Sequence, residues 1–238
     1  MPSTELNADT AIRPEVRDLL GQGKETLRQA MEPTPLTFAA GTCLMQMGEP
    51  HEFLYAVEDG WLARARTIAD GRRQIIVVFL PGDVCGVKTL FMNRQPDAIE
   101  ALCPAAVRRI HHRDACALAT REFGVALFLA WQLAQDERHL HDWNLRLGRA
   151  NAEERIAALI LEFRDRLAGK GVNTAEGYSF PLIQQQIADH VGLTTVHVNR
   201  VLRRLRERKM VSMQRGRVVF GDNIEELEQL AEPVQDPV

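Results

Sequence analysis

The stretch best equipped for chemistry is QQQIADHVGLTTVHVNRVLRRL, Gln184 to Leu205. Two short helices that cross closely need a small residue where they touch, a Gly four positions later to turn the chain, and apolar residues facing inward at fixed places. Ala188 and Gly192 have that spacing, and Ile187, Val191, Leu193, Val198, Val201, Leu202 and Leu205 supply the inward set. A second helix starting near Thr194 or Thr195 then turns Thr195, Val196, Asn199, Arg200 and Arg203 outward, with His197 and Arg204 on its flanks. Guanidinium, amide and hydroxyl groups on one exposed helix face can donate to base edges and phosphate oxygens, which is the chemistry of reading a DNA major groove.

The charge pattern agrees. From Thr194 to Arg217, the basic residues Arg200, Arg203, Arg204, Arg206, Arg208, Lys209, Arg215 and Arg217 stand against one acid, Glu207. That window is +7 in a chain of net charge −3, so the remainder is −10 and phosphate attraction is concentrated on one element. The competing reading is a solvated amphipathic helix whose arginines only keep it soluble. Beyond the helix, Met210 to Met213 and Arg217 to Phe220 read as two strands about Gln214-Arg215-Gly216, a wing whose tip reaches backbone phosphates. Residues 221 to 238 carry six acids and no base, and are expected to turn away from DNA.

Upstream elements must position that pair of helices. Asn151-Ala152-Glu153-Glu154 is a helix start, with Asn151 as cap and two carboxylates at the positive helix end; Ile156, Leu159, Ile160 and Phe163 line one face to about Leu167. Before it, Leu129, Leu133, Asp136, Leu140, Trp143, Leu147 and Ala150 follow steps of 4, 3, 4, 3, 4 and 3, a heptad seam interrupted at Asp136. With Arg138, Asp142, Arg146 and Arg149 flanking it, the seam is expected to join two copies of the chain; the alternative is a helix lying on its own domain. From Leu36 to about Arg113, short apolar runs alternate with turn residues, the pattern of a compact all-β unit. Its clearest hairpin is Trp61 to Ile68, Asp70-Gly71, then Arg73 to Leu80. The organisation expected is a helical leader over 1–35, a β sensor unit over 36–120, a dimerisation helix over 121–150, a winged helix-turn-helix over 151–232 and a tail over 233–238, an α+β fold.

Composition removes several classes. At 238 residues, 45% hydrophobic and 26% charged, the chain can bury a core and is not a histone-like basic protein. The longest apolar runs, Ile75 to Leu80 and Val125 to Trp131, are far short of the roughly 20 residues that span a bilayer. Glu5, Asp9 and Arg13 break any secretory signal layout, so a cytoplasmic protein with no membrane partner is expected. Cys43, Cys85, Cys103 and Cys116 lack the spacing of a zinc site, and no metal is assigned. No GxSxG, GxxxxGK[ST] or HExxH motif appears, so no enzyme is expected.

A turn-rich β unit, a long helix and a C-terminal winged helix-turn-helix, in that order, resemble the Crp/Fnr superfamily of bacterial transcription regulators over residues 36 to 230. FLPGDVCG at Phe79 to Gly86, NAEERIAALI at Asn151 to Ile160 (most like the Fnr branch) and GLTTVHVNRVLRRL at Gly192 to Leu205 carry the likeness. It implies a β-roll of the cyclic-nucleotide-binding type, a homodimer on a palindromic operator with recognition helices about 34 Å apart, and RNA polymerase as a further partner. It also implies that Arg200 reads a base, that Thr195 and Asn199 face the groove, and that Gln185 contacts phosphate. The full candidate DNA interface is Gln184, Gln185, Thr194, Thr195, Val196, His197, Asn199, Arg200, Arg203, Arg204, Arg215 and Arg217. Two positions depart from the family. Val196 stands where a glutamate is usual, and Ile183 where a Thr or Ser often caps the first helix.

The same resemblance locates the sensor without identifying its signal. In GVKTLFMNRQPDAI, Gly86 to Ile99, Val87 replaces the glutamate of the cyclic-nucleotide cassette, and Asp97 and Ala98 lie near its Arg-Ser place. An aspartate there repels a cyclic phosphate, although Arg94 or Lys88 could substitute for the missing arginine. Residues 1 to 42 contain no cysteine, which removes the Fnr-type iron–sulfur cluster. Haem is the remaining cofactor alternative, with His51, His111, His112, Cys85 and Cys103 as candidate axial ligands and Lys88 where carbon monoxide sensors carry a histidine. The effector is left open between an unidentified small ligand and none, with a haem- or cysteine-based redox response as alternatives. For the whole chain, the alternative to a sequence-specific regulator is a ligand-binding or scaffold protein whose helix-turn-helix is an interaction module.

Overall fold

The computed structural model describes residues 12–231; the tail over 233–238 and the start of the leader lie outside the described residues. The leader is one helix, α1 (Pro14–Ala30), opening on a proline where the first turn needs no N–H. Strands β1 (Leu36–Phe38), β2 (Cys43–Met45), β3 (Phe53–Asp59), β4 (Leu62–Thr67), β5 (Arg73–Phe79), β6 (Val84–Cys85), β7 (Ala98–Ala101) and β8 (Ala105–His111) follow. They form two antiparallel sheets, ordered β1-β8-β3-β6 and β2-β7-β4-β5. Met45, Val57, Leu62, Val77, Phe79, Ile99 and Val107 meet between them, the inward half of the alternation that a β-roll requires.

The β4–β5 hairpin is longer-looped than Asp70-Gly71 alone implies. Only Gly71 is left-handed (φ 87°), while the Asp70 carboxylate accepts the Arg72 N–H at 3.0 Å, so the loop runs from Ile68 to Arg72. Helices α2 (His112–Arg121) and α3 (Phe123–Arg149) cover the other face of the first sheet together with α1, burying Leu20, Leu27, Leu54, Ile110, Val125 and Phe128. At the α1–α3 crossing, a methyl on Gly23 would stand 1.9 Å from the Gly124 carbonyl oxygen, so the two backbones touch.

After α3 come α4 (Ala152–Ala168), β9 (Gly177–Ser179), α5 (Gln184–Val191), α6 (Thr195–Glu207), β10 (Val211–Gln214), β11 (Arg217–Phe220) and α7 (Ile224–Ala231), with a small sheet ordered β10-β11-β9. Asn151 caps α4 as its sequence implies, accepting from the Glu153 and Glu154 N–H groups while the Glu154 carboxylate accepts from its own.

The described residues divide into two compact units between His139 and Leu140, inside α3, and several positions of the expected dimer seam are covered within their own unit. Leu129 is buried and Leu133 packs against the same core in the first unit, and the Asp136 carboxylate accepts from Arg64 at 2.7 Å. In the second unit Trp143 is 5% exposed and its indole N–H donates to Glu162 at 2.8 Å, Leu147 lies against Gly192, and Ala150 is buried. Leu140 alone stays half-buried without such a role. An apolar heptad demands a partner surface, and for Leu129, Trp143 and Ala150 the same chain supplies it. Among the exposed residues of α3, Ala130, Ala134, Glu137, His141, Asn144, Leu145 and Gly148 form a second stripe at similar spacing.

Candidate DNA-binding interface

The two helices of the site stop and start where local chemistry requires. Ile183 gives α5 no capping oxygen, but the Gln186 side chain accepts the Ile183 N–H at 2.9 Å, so the helix still begins at Gln184. At its other end Gly192 is left-handed (φ 67°) and the Leu193 N–H returns to the Ala188 carbonyl at 3.1 Å. The Thr194 hydroxyl oxygen then accepts the His197 N–H and opens α6. Restoring the missing half of the first cap by Ile183→Thr is expected to stabilise the C-terminal unit by about 0.5–1 kcal/mol, a rise of about 3–6 °C in its melting midpoint by calorimetry.

Between the helices, Ile187, Ala188, Val191, Val198, Val201 and Leu205 are all buried to 1% exposure or less; Leu193 and Leu202 are only half-buried. The opposite face of α6 presents Val196, Asn199, Arg200 and Arg203, all exposed, with Val196 at 67%. Thr195 and His197 are half-buried on its edges. Thr194 is exposed but is occupied as a cap, and Gln185, also exposed, donates to Asp189 at 2.7 Å, while Gln184 lies beside it at the surface.

The basic window is partly neutralised by acids that are distant in sequence. Glu153 at the start of α4 pairs with Arg204 at 3.0 Å and Arg208 at 3.2 Å, and Glu226 of α7 also pairs with Arg208. Arg204, placed in the interface by sequence, is therefore held by α4. Arg203 pairs with Glu207, but both are more than half exposed, so a phosphate can compete for it. Among the described residues no ion pair ties down Arg200, Arg206, Arg215 or Arg217. In α7 Leu227 is fully buried, Glu226 and Glu228 pair with Arg208 and Arg164, and Glu225 is exposed.

The wing forms as its residues imply. Gln214 pairs with Arg217 across a two-residue turn, with Arg215 (φ 48°) and Gly216 (φ 74°) both left-handed. Arg215 thereby sits exposed at the tip, at a backbone cost of about 1 kcal/mol for a residue with a Cβ. The sheet is anchored by Tyr178, whose buried hydroxyl donates to the Ile160 carbonyl of α4 at 2.5 Å; burial pushes that phenol well above its ordinary range.

Beside the stretch that resembles the nucleotide cassette, the sensor interior is nearly filled by protein. Arg64, Val87, Lys88, Gln95, Gln132 and Asp136 line a cavity of about 10 Å³, room for about one water, whereas small-molecule sites enclose about 300 Å³ or more. Asp97 is buried and pairs with Arg66 at 2.7 Å. The candidate haem ligands have other engagements. Cys85 is buried, which pushes its thiol up to about 12, and the Cys103 sulfur accepts the Trp61 N–H. His112 lies 3.0 Å from the Thr89 hydroxyl, and His111 accepts the Arg113 N–H. Burial holds His51 and His112 below the usual histidine range. Among the described residues no three His, Cys, Asp or Glu side chains converge as a metal site.

Comparison with known proteins bears on both units. Residues 154–230 match the Crp-like helix-turn-helix domain and residues 35–121 the cyclic nucleotide-binding domain. The chain is 32% identical over 178 residues to the transcriptional activatory protein AadR of Rhodopseudomonas palustris, covering 71% of this chain and 69% of the relative. It is 30% identical over 193 residues to the nitrogen fixation regulation protein FixK of Bradyrhizobium diazoefficiens, covering 78% and 77%. The solved structure of FixK2 from Bradyrhizobium japonicum superposes with a TM-score of 0.77 at 28% identity, covering 85% of this chain and 98% of that one.

Proposed function

Since this chain belongs to the Crp/Fnr superfamily of transcription regulators, we propose that it binds a two-fold related DNA operator as a homodimer and acts there on RNA polymerase in the cytoplasm. The observation that carries the operator reading is the exposed row Val196, Asn199, Arg200 and Arg203 on α6, in which Arg200 has no ion pair among the described residues. Arg200 donates both guanidinium arms to a guanine, Asn199 pairs with an adenine edge, and Val196 packs on a thymine methyl. Arg206, Arg215, Arg217 and Gln184 contact phosphates and set the register. The exposed stripe of α3, with Ala130, Ala134 and Gly148, lets a second copy of that helix approach closely, and a two-fold operator takes the two α6 helices in successive grooves about 34 Å apart. No described helix is long and apolar enough to cross a membrane.

Random-site selection with the full chain tests this reading. Enrichment of one palindrome, bound with an affinity that falls steeply with salt, is the expected result. A selection that returns no motif would favour the scaffold alternative. The departure at Val196 adds a sharper expectation: Val196→Glu should move the preference at one base pair of each half-site toward cytosine, by about tenfold per half-site, because a carboxylate accepts from cytosine N4 and a valine does not.

A further inference from the structure

A charge cluster inside the β-roll takes no part in contacting DNA. Arg64 projects from β4 with a side chain only 5% exposed; its Nη1 donates to Asp136 of α3 at 2.7 Å and its Nε lies 3.8 Å from Asp97. Arg66 holds the other Asp97 oxygen at 2.7 Å, and Lys88 and Gln95 close the remaining wall of the small cavity. A guanidinium removed from water this completely needs an anion beside it. In a nucleotide-binding roll a ligand phosphate could meet such a demand; here Asp136 and, at 3.8 Å, Asp97 supply the negative charge, while the buried Nε and Nη2 of Arg64 make no hydrogen bond among the described residues and the space left is about one water. Burial and the Arg64 charge both hold the Lys88 ammonium below its ordinary range, as expected in an interior already rich in cations.

We propose that this sensor is self-liganded: the Asp136 carboxylate occupies the anion position on Arg64, clamping α3 to the roll, so that the protein reads its operator with no effector bound. The operator half of this statement rests on the function proposed above, and the clamp itself is testable without DNA.

Asp136→Ala strands Arg64 in the interior and is expected to lower the melting midpoint of the sensor unit by about 10 °C. Formate at about 0.1 M, which supplies the missing carboxylate, should recover about half of that loss, where chloride at equal ionic strength recovers little. The double variant Arg64→Met/Asp136→Leu removes both charges and should melt within about 3 °C of the native protein, which separates charge pairing from general damage if the single variant does not fold. In parallel, native protein confirmed ligand-free by native mass spectrometry should bind its operator with an affinity that millimolar cyclic AMP or inorganic phosphate changes less than about twofold. The proposal is overturned if Asp136→Ala melts with the native protein, if formate and chloride act alike, or if either probe tightens operator binding by about tenfold or more. Failure of the native protein to select any operator would sink the DNA-binding reading while leaving formate rescue to decide the clamp.

Discussion

Arg200→Ala should weaken binding to the selected operator about 10- to 100-fold, the loss of a bidentate guanine contact, while binding to random duplex changes only about two- to threefold. The contrast follows from where Arg200 sits. It is exposed on α6 between Asn199 and Arg203, whereas Arg204, one helical turn further, is drawn to Glu153. Arg215→Ala at the wing tip should behave oppositely, weakening both duplexes alike and lowering the salt slope by about one. Fluorescence anisotropy titrations of both duplexes at several salt concentrations check the pair. Equal losses for Arg200→Ala would reduce that residue to a phosphate contact and remove the basis for assigning it a base.

Trp143→Ala should destabilise the C-terminal unit by about 3–5 kcal/mol, a large share of the 5–15 kcal/mol that holds a typical domain together. The indole is 5% exposed, donates to Glu162, packs edge-on to His190 at 4.4 Å between ring centroids and carries the Arg146 guanidinium at 5.5 Å. Its removal opens a cavity and takes a donor from a half-buried carboxylate. Calorimetry should show the C-terminal transition moved far down, with operator binding lost and sedimentation still reporting a dimer. Ala134→Glu, on the exposed stripe of α3, should do the reverse, leaving both transitions in place and separating the copies. A folded, monomeric Trp143→Ala would return the interface to the heptad seam that the sequence displays.

That contrast marks where sequence was informative. The helix-turn-helix was legible because its rules are local: Ala188 and Gly192 fix a crossing and a turn within four positions, and the buried set repeats at helical spacing. The wing was legible for the same reason, since Arg215-Gly216 admits a two-residue turn. The seam in α3 was legible only in part, because periodicity reports that a helix face needs covering and is silent on what covers it. Glu153 and Glu226 were missed as neighbours of Arg204 and Arg208 because those pairs join α4, α6 and α7 across the fold. Asp136, which looked like a break in the seam, marked the sensor interior; its partner Arg64 is 72 positions earlier, and the available signal was an arginine sharing a strand face with Leu62.

The contact between Gly23 and Gly124 restricts how the molecule can be altered. Neither position has room for a side chain, since a methyl on Gly124 would also stand 2.8 Å from the Leu19 carbonyl oxygen. The first helix is thus a keel fitted to the hull of the sensor rather than a trailing ribbon. Truncations intended to tidy the amino terminus should spare residues 14 to 31, and purification handles belong ahead of them, where they leave that joint undisturbed.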